Sequence, residues 1–357
     1  MKKSLLALAI LGAFANAASA QSSVTVYGLV DMGIVAERGG AAGSVTKLTS
    51  GVGSGSRIGF KGTEDLGGGL SALFVLENGF MSDTGTLGQG GLLFGRQSYV
   101  GLGSGVGTVT FGRQYAPHYL TAVFSDPFSS GFAGDTKNLI QAVASGGRMD
   151  NAVKYATPTV NGFNGEVAYG FGEVAGDNGA GRQIGASVGY AAGPLAVRLA
   201  HHNKNNDTAT VKSDSTRNTL LAATYNFEVA KVFVAYGVNK GPFSSPLRNA
   251  NNPFNLAVAP TTGSVTRDSN DALVGVSMPF GAHTVMASYV RKNDKTSANR
   301  DADQWALGYR YALSKRTDLY TTYARIKNQN GASYTVGNAT EGGSGDKALN
   351  LGIRHTF

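Results

Sequence analysis

The stretch Asp346-Lys347-Ala348-Leu349-Asn350-Leu351-Gly352-Ile353-Arg354-His355-Thr356-Phe357 reads with a period of two. Leu349, Leu351, Ile353, His355 and Phe357 fall on one face, and Asn350, Gly352, Arg354 and Thr356 on the other. Side chains alternate sides along an extended strand, whereas a helix repeats every 3.6 residues, so this stretch is a strand. One face suits lipid and the other suits water.

The same theme recurs from residue 22 to 357. Sixteen such segments begin near Val24, Ser56, Gly69, Phe94, Val106, Arg148, Phe163, Arg182, Pro194, Thr216, Ala230, Asn270, His283, Ala302, Thr317 and Asp346. Each is about ten residues long, which matches the ~9–11 residues a tilted strand needs to cross a bilayer. The breaks between them alternate in length. Short ones fall at 65–68, 104–105, 158–162, 191–193, 228–229, 281–282 and 311–316; long polar ones at 37–55, 81–93, 116–147, 173–181, 203–215, 240–269, 292–301 and 327–345. Short turns on one rim and long loops on the other define an outer-membrane barrel. A β-sandwich, with turn signals every ~8–12 residues, lacks that alternation. The expected fold is all-β: a sixteen-stranded antiparallel transmembrane barrel, with short periplasmic turns and long extracellular loops. Side chains cannot fill a barrel of that width, so an aqueous channel follows unless something plugs it.

Other segments assign their faces in the same way. Val167, Tyr169 and Phe171 oppose Glu166, Ala168 and Gly170; Leu195, Val197 and Leu199 oppose Arg198, Ala200 and His202; Trp305, Leu307, Tyr309 and Tyr311 oppose Ala306, Gly308 and Arg310. Tyr155, Tyr225, Tyr289 and Tyr323 stand near strand ends, where aromatic girdles mark the two interfaces of a membrane.

Composition agrees. The chain holds 51 Gly, 17 Phe and 15 Tyr but only 15% charged residues, and its mean hydropathy is -0.09. Such a chain has no long apolar run, because only alternate residues of a barrel strand face lipid. The start is different. Met1-Lys2-Lys3, the apolar run from Leu5 to Phe14 and Ala18-Ser19-Ala20 read as a secretory signal peptide over 1–20, cleaved before Gln21. That leaves a single barrel domain over 21–357 and lowers the net charge from +8 to +6. There is no Cys, which excludes disulfides, thiolate catalysis and Cys-based metal sites. A closed barrel is held instead by a ladder without free edges.

Several motifs resemble the general porins of Gram-negative bacteria, of the beta-proteobacterial type. Ser23-Val24-Thr25-Val26-Tyr27-Gly28-Leu29-Val30-Asp31 is similar to their first strand. Ser56-Arg57-Ile58-Gly59-Phe60-Lys61-Gly62-Thr63-Glu64-Asp65-Leu66-Gly67-Gly68-Gly69-Leu70 resembles their second strand, turn and third strand. Gly95 to Leu102, Phe111 to Tyr115, Leu313 to Tyr320 and Gly352 to Phe357 resemble later strands. The resemblance implies a homotrimer in the outer membrane, in contact with lipid and lipopolysaccharide, that passes small hydrophilic solutes and ions passively. It implies a third loop folded into the channel, with wall bases facing loop acids. It also implies that Phe357 is an assembly signal read by the barrel assembly machinery.

Alternation selects the residues that carry this function. Ile58 and Phe60 face lipid, so Arg57, Lys61 and Thr63 face inward. Met149, Val153 and Tyr155 are read as outward, so Arg148, Asp150 and Lys154 face inward. Arg96 shares a face with Ser98 and is read as inward, since an arginine in mid-lipid costs ~2–4 kcal/mol. Arg113 shares a face with Val109 and Phe111 and is expected at the outer rim or a subunit interface; His201 is also outward. The third loop, 116–147, carries Asp126, Asp135 and Lys137. A constriction with Arg57, Lys61, Arg96, Arg148 and Lys154 on the wall and only Asp126 and Asp135 on the loop is positive, and predicts a preference for anions.

Other chemistries find no support. Gly51-Val52-Gly53-Ser54-Gly55 and Gly101-Leu102-Gly103-Ser104-Gly105 look like phosphate-cradling loops, but neither precedes a helix, so they read as loop and turn glycines. His201-His202 reads as a solvated pair and not a metal site. No motif proposes catalytic residues, a cofactor or an enzyme, and no basic helix proposes nucleic acid. The alternatives to a diffusion pore are an adhesin or receptor barrel acting through its long loops, and a substrate-selective channel.

Overall fold

The computed structural model describes residues 23–40, 43–140, 147–242, 244 and 267–357. The expected signal segment lies outside the described residues, as does most of 240–269. Seventeen strands follow one another: β1 (Ser23–Gly40), β2 (Gly43–Ser50), β3 (Arg57–Gly67), β4 (Leu70–Gly79), β5 (Gln97–Ser104), β6 (Gly107–Tyr115), β7 (Arg148–Ala156), β8 (Phe163–Gly170), β9 (Gln183–Ala192), β10 (Leu195–Lys204), β11 (Thr216–Asn226), β12 (Lys231–Lys240), β13 (Asp268–Phe280), β14 (His283–Asp294), β15 (Ala302–Ala312), β16 (Thr317–Asn328) and β17 (Lys347–Thr356). Among the described residues, one helix, α1 (Pro117–Phe124), and a 3-10 turn over Thr136–Asn138 interrupt them between β6 and β7.

All neighbours are antiparallel, and β17 returns to β1 from Leu29↔Thr356 to Arg38↔Lys347. The last residue completes the seam: Gly28 and Phe357 exchange backbone hydrogen bonds of 3.1 and 3.0 Å. The sheet is therefore a closed barrel. It has sixteen places for seventeen strands, because β2 and β3 share one. The first part of β1 pairs with β3 (Ser23↔Thr63 to Leu29↔Arg57) and the second with β2 (Met32↔Ser50 to Gly40↔Gly43). Residues 51–56 leave the sheet between them. The break expected over 37–55 is thus mostly strand. Gly43 to Ser50 shows little apolar/polar alternation: it stands at the loop rim, and Leu48, opposite Ile34, is the one large apolar residue on its outward face.

Alternation holds where the wall crosses the membrane. On β17, Leu349, Leu351 and Ile353 are 49%, 59% and 45% exposed on the outside, while Asn350 between them is 0% exposed. No helix among the described residues is long and apolar enough to cross a membrane; strands carry the apolar band. The turn between β3 and β4 needs its glycines: Gly67, Gly68 and Gly69 all have positive φ (81°, 62° and 79°), a region side chains rarely adopt.

The alternation breaks on β7. Pairing with β6 shifts between Gly112↔Ala152 and Gln114↔Met149, so β7 holds one extra residue, with Asn151 at φ 50°. A bulge of this kind reverses the faces beyond it. Met149 is fully buried with Ala116, Ala152 and Ala168, and Asp150 is exposed. This corrects the reading of Met149 as outward and Asp150 as inward.

Candidate functional site

The lumen is divided by the segment between β6 and β7. Pro117 opens α1 at a position whose N–H needs no partner. The helix then lies on the inner face of β8 to β11, with Thr121 Oγ1 donating to the Pro117 carbonyl at 3.1 Å. His118 is fully buried there. Beyond the helix the chain is folded around Asp126. Its carboxylate accepts from the amides of Phe128 (2.8 Å), Ser130 (2.9 Å) and Thr136 (3.1 Å) and from the Thr136 hydroxyl (3.2 Å). Those bonds hold Ser129, Ser130 and Phe132 at positive φ. Asp135 caps the following turn through the Lys137 amide at 2.8 Å, and its carboxylate meets Lys137 Nζ at 3.3 Å. Both loop acids expected to face the wall bases are therefore buried within the loop's own hydrogen bonds.

The loop is fastened to the opposite wall. The Phe132 amide donates to the Val52 carbonyl, and its ring meets Tyr320 edge-on at 4.8 Å. The Ala133 amide donates to Asn350 Oδ1 at 2.7 Å, and Asn138 Nδ2 donates to Gln304 Oε1 at 2.9 Å. Small inward residues make room: a Cβ at Gly308 would lie 2.6 Å from the Phe128 ring.

Residues 51–55 form a further support. The amides of Val52, Gly53 and Ser54 donate to the Asp31 carboxylate at 3.1, 3.0 and 2.8 Å, and the Tyr320 hydroxyl donates to it at 2.6 Å. Successive amides aimed at one anion make a cradle. The glycine-rich run read as mere loop glycines holds an anion after all, and that anion is the chain's own Asp31. His201-His202 is also corrected as a solvated pair: His201 is outward and meets Thr219 Oγ1 at 2.8 Å, but His202 is 1% exposed against the loop.

The wall bases gather as follows. Arg96 Nε donates to Glu77 Oε1 at 2.8 Å, and its terminal nitrogen donates to the Tyr115 hydroxyl at 2.8 Å. Arg148 donates to the same hydroxyl at 3.0 Å and to the Arg96 carbonyl at 2.8 Å. Its guanidinium lies 4.7 Å from the centre of the Tyr115 ring, which stacks on Tyr119 of α1 at 5.0 Å. Arg57 donates to the Gly55 carbonyl at 3.0 Å and to Ser54 Oγ at 2.5 Å. Tyr27 donates to the second oxygen of Glu77 at 3.0 Å. Arg96 thus binds the Glu77 carboxylate, Arg96 and Arg148 share the Tyr115 hydroxyl, and Arg57 lies within the field of both Arg96 and Glu77. Lys61 stands 5.4 Å over the Tyr27 ring, and Lys154 lies further down β7 near Glu166 and Arg198. Arg113 is apart from this group: its Nε donates to the Gly95 carbonyl at 2.8 Å, and its guanidinium pairs with the exposed Asp150.

Sequence reasoning did not single out Glu77, Tyr115, Asp31 or Tyr320. Glu77 was hidden because Leu73 and Val75, at inward positions of the same strand, blur its pattern. Tyr115 acts through the loop that follows it, which no periodicity reveals.

A closed strand wall with an apolar outside, a polar inside and one loop narrowing the lumen defines a channel of the outer membrane. The family model described as Gram-negative porin matches residues 7–331. An outer membrane porin of Bordetella pertussis is 35% identical over the full length of both chains, and outer membrane porin protein 32 of Delftia acidovorans is 33% identical, again over both full lengths. The solved anion-selective porin from Comamonas acidovorans superposes with a TM-score of 0.76 at 30% identity, covering 94% of this chain and 100% of that one. The chain belongs to the Gram-negative porin family and is an outer-membrane porin.

Proposed function

We propose that this porin is a general diffusion channel preferring small hydrophilic anions, acting by passage and not by catalysis. The observation that carries the reading is the gathering of Arg57, Arg96 and Arg148 beside Glu77, where Arg96 binds the carboxylate, Arg148 joins through the Arg96 carbonyl and the Tyr115 hydroxyl, and Arg57 lies within the field of Arg96. Because Asp126 and Asp135 are buried in the loop, they offset little of that charge at the lumen surface. Fixed cations in a channel with low-dielectric walls concentrate anions. The solved relative described as anion-selective supports the same sign.

The family resemblance further supports a homotrimer in contact with outer-membrane lipid and lipopolysaccharide. It supports Phe357 as the assembly signal read by the insertion machinery, with Arg113 and its partner Asp150 at the rim or subunit contact. Reversal potential across a salt gradient in a planar bilayer tests the central reading. Conductance in steps of three with an anion-selective potential is expected. A cation-selective potential overturns the preference, and no conductance from folded protein overturns the open pore.

A further inference from the structure

The lower lumen holds a second group of bases that no described carboxylate pairs with directly. Lys154 on β7, Arg198 on β10 and Lys231 on β12 all point inward, each a few residues from a short turn. They therefore lie on the periplasmic side of the loop, whereas Arg57, Arg96 and Arg148 lie at or just before the loop-side starts of β3, β5 and β7. Arg148 and Lys154 share β7, and at ~3.3 Å per strand residue they stand roughly 15–20 Å apart along it.

What holds two of these bases is aromatic. The Arg198 guanidinium is 6.0 Å and the Lys231 ammonium 5.9 Å from the centre of the Phe124 ring, at the end of α1. Lys231 is also 5.1 Å over the Phe233 ring. A ring face orients a cation without neutralising it. Lys154 feels the repulsion of Arg198, and Glu166 is the one acid acting on it. Arg198 Nε is buried with no hydrogen-bond partner, a donor left open.

We propose that Arg198 and Lys231, gathered at Phe124, together with Lys154 beside Arg198, form a second oxyanion-binding station on the periplasmic side of the constriction. Its ligand is a small oxyanion such as inorganic phosphate or a short carboxylate. A guanidinium offers two parallel donors to such a group, and the ammonium groups supply point charge. The inference rests on the anion-preferring reading of the pore. Two stations in series make transport saturable without closing the channel to chloride.

The test is single-channel chloride current of the assembled porin with phosphate titrated in, and succinate in a second series. Wild-type current is expected to fall saturably. The Arg198→Gln/Lys231→Gln double variant, shown folded by its unheated gel mobility, is expected to raise the half-blocking concentration at least several fold. Lys231→Gln alone is expected to give part of that effect, and it serves if the double variant does not assemble. Arg57→Gln should keep a saturable block. A block of unchanged strength in the lower-station variants overturns the station, as does an anion-selective wild type that neither anion blocks. A cation-selective wild type overturns the underlying reading instead. Block by phosphate alone or by succinate alone supports the station and says which oxyanion it takes.

Discussion

The Phe132 amide donates a 2.7 Å hydrogen bond to the Val52 carbonyl. It joins the tip of the inward loop to the segment that interrupts the second place of the barrel. That segment is itself held by Asp31 through three amides. The position of the loop in the lumen therefore depends on one buried carboxylate on the first strand.

Replacing that carboxylate tests the dependence. Asp31→Ala leaves the amides of Val52, Gly53 and Ser54 and the Tyr320 hydroxyl without their acceptor, at a cost of about 2–3 kcal/mol. A lower thermal midpoint and noisier open-channel current are expected in the same variant. A lower midpoint with unchanged current noise would separate the cradle from the loop.

Gly308 faces the Phe128 ring, and both are enclosed by wall and loop. Gly308→Leu places side-chain atoms where that ring stands, since even a Cβ would come within 2.6 Å. The barrel can form without the loop contact, so the loop is expected to move. The measurement is single-channel conductance, expected to change while the strand content seen by circular dichroism does not.

Arg96 and Glu77 form a buried pair. Arg96→Met changes the local charge by one unit, as Arg57→Gln does, but it also strips the Glu77 carboxylate of its bonded cation, so that the carboxylate's field acts on a passing ion at close range. Its anion-to-cation permeability ratio is expected to fall further than that of Arg57→Gln, which removes only a cation. Adding Glu77→Gln to Arg96→Met should recover part of the loss. Reversal potentials of the three variants decide it.

His118 on α1 is held neutral: burial, with the nearby His202 and His201, pushes its pKa down to about 3. The unfolded chain takes up a proton near the ordinary value of ~6.5. Stability from this group is therefore fully present above pH 6.5 and is lost as pH falls toward about 3. The thermal midpoint is expected to drop across that window, and His118→Gln should flatten part of the drop.

Much of the site was legible because strand parity is a local property. Lys61 and Lys154 could be placed inside from their neighbours alone, and Leu349, Leu351 and Ile353 outside. Parity failed at Met149 and Asp150, where the extra residue near Asn151 reverses the faces. It also missed β2, whose outward face carries Leu48, opposite Ile34, beside Ser44 and Thr46 and so shows no apolar run.

The amino-acid sequence by itself determined the closed barrel, the two rims and the excess of basic residues. Period-two alternation and break length are written along the chain and need no distant partner to be read. Only the tertiary structure decided what the third loop does with its charges. Asp126 and Asp135 turn into the loop because nearby amides must be satisfied away from water. Asp31, Tyr320 and Val52 meet because barrel closure brings the first and last strands together. Arg57, Arg96 and Arg148 come together, and Arg96 and Arg148 share the Tyr115 hydroxyl, because residues far apart in the chain occupy adjacent places on a curved wall.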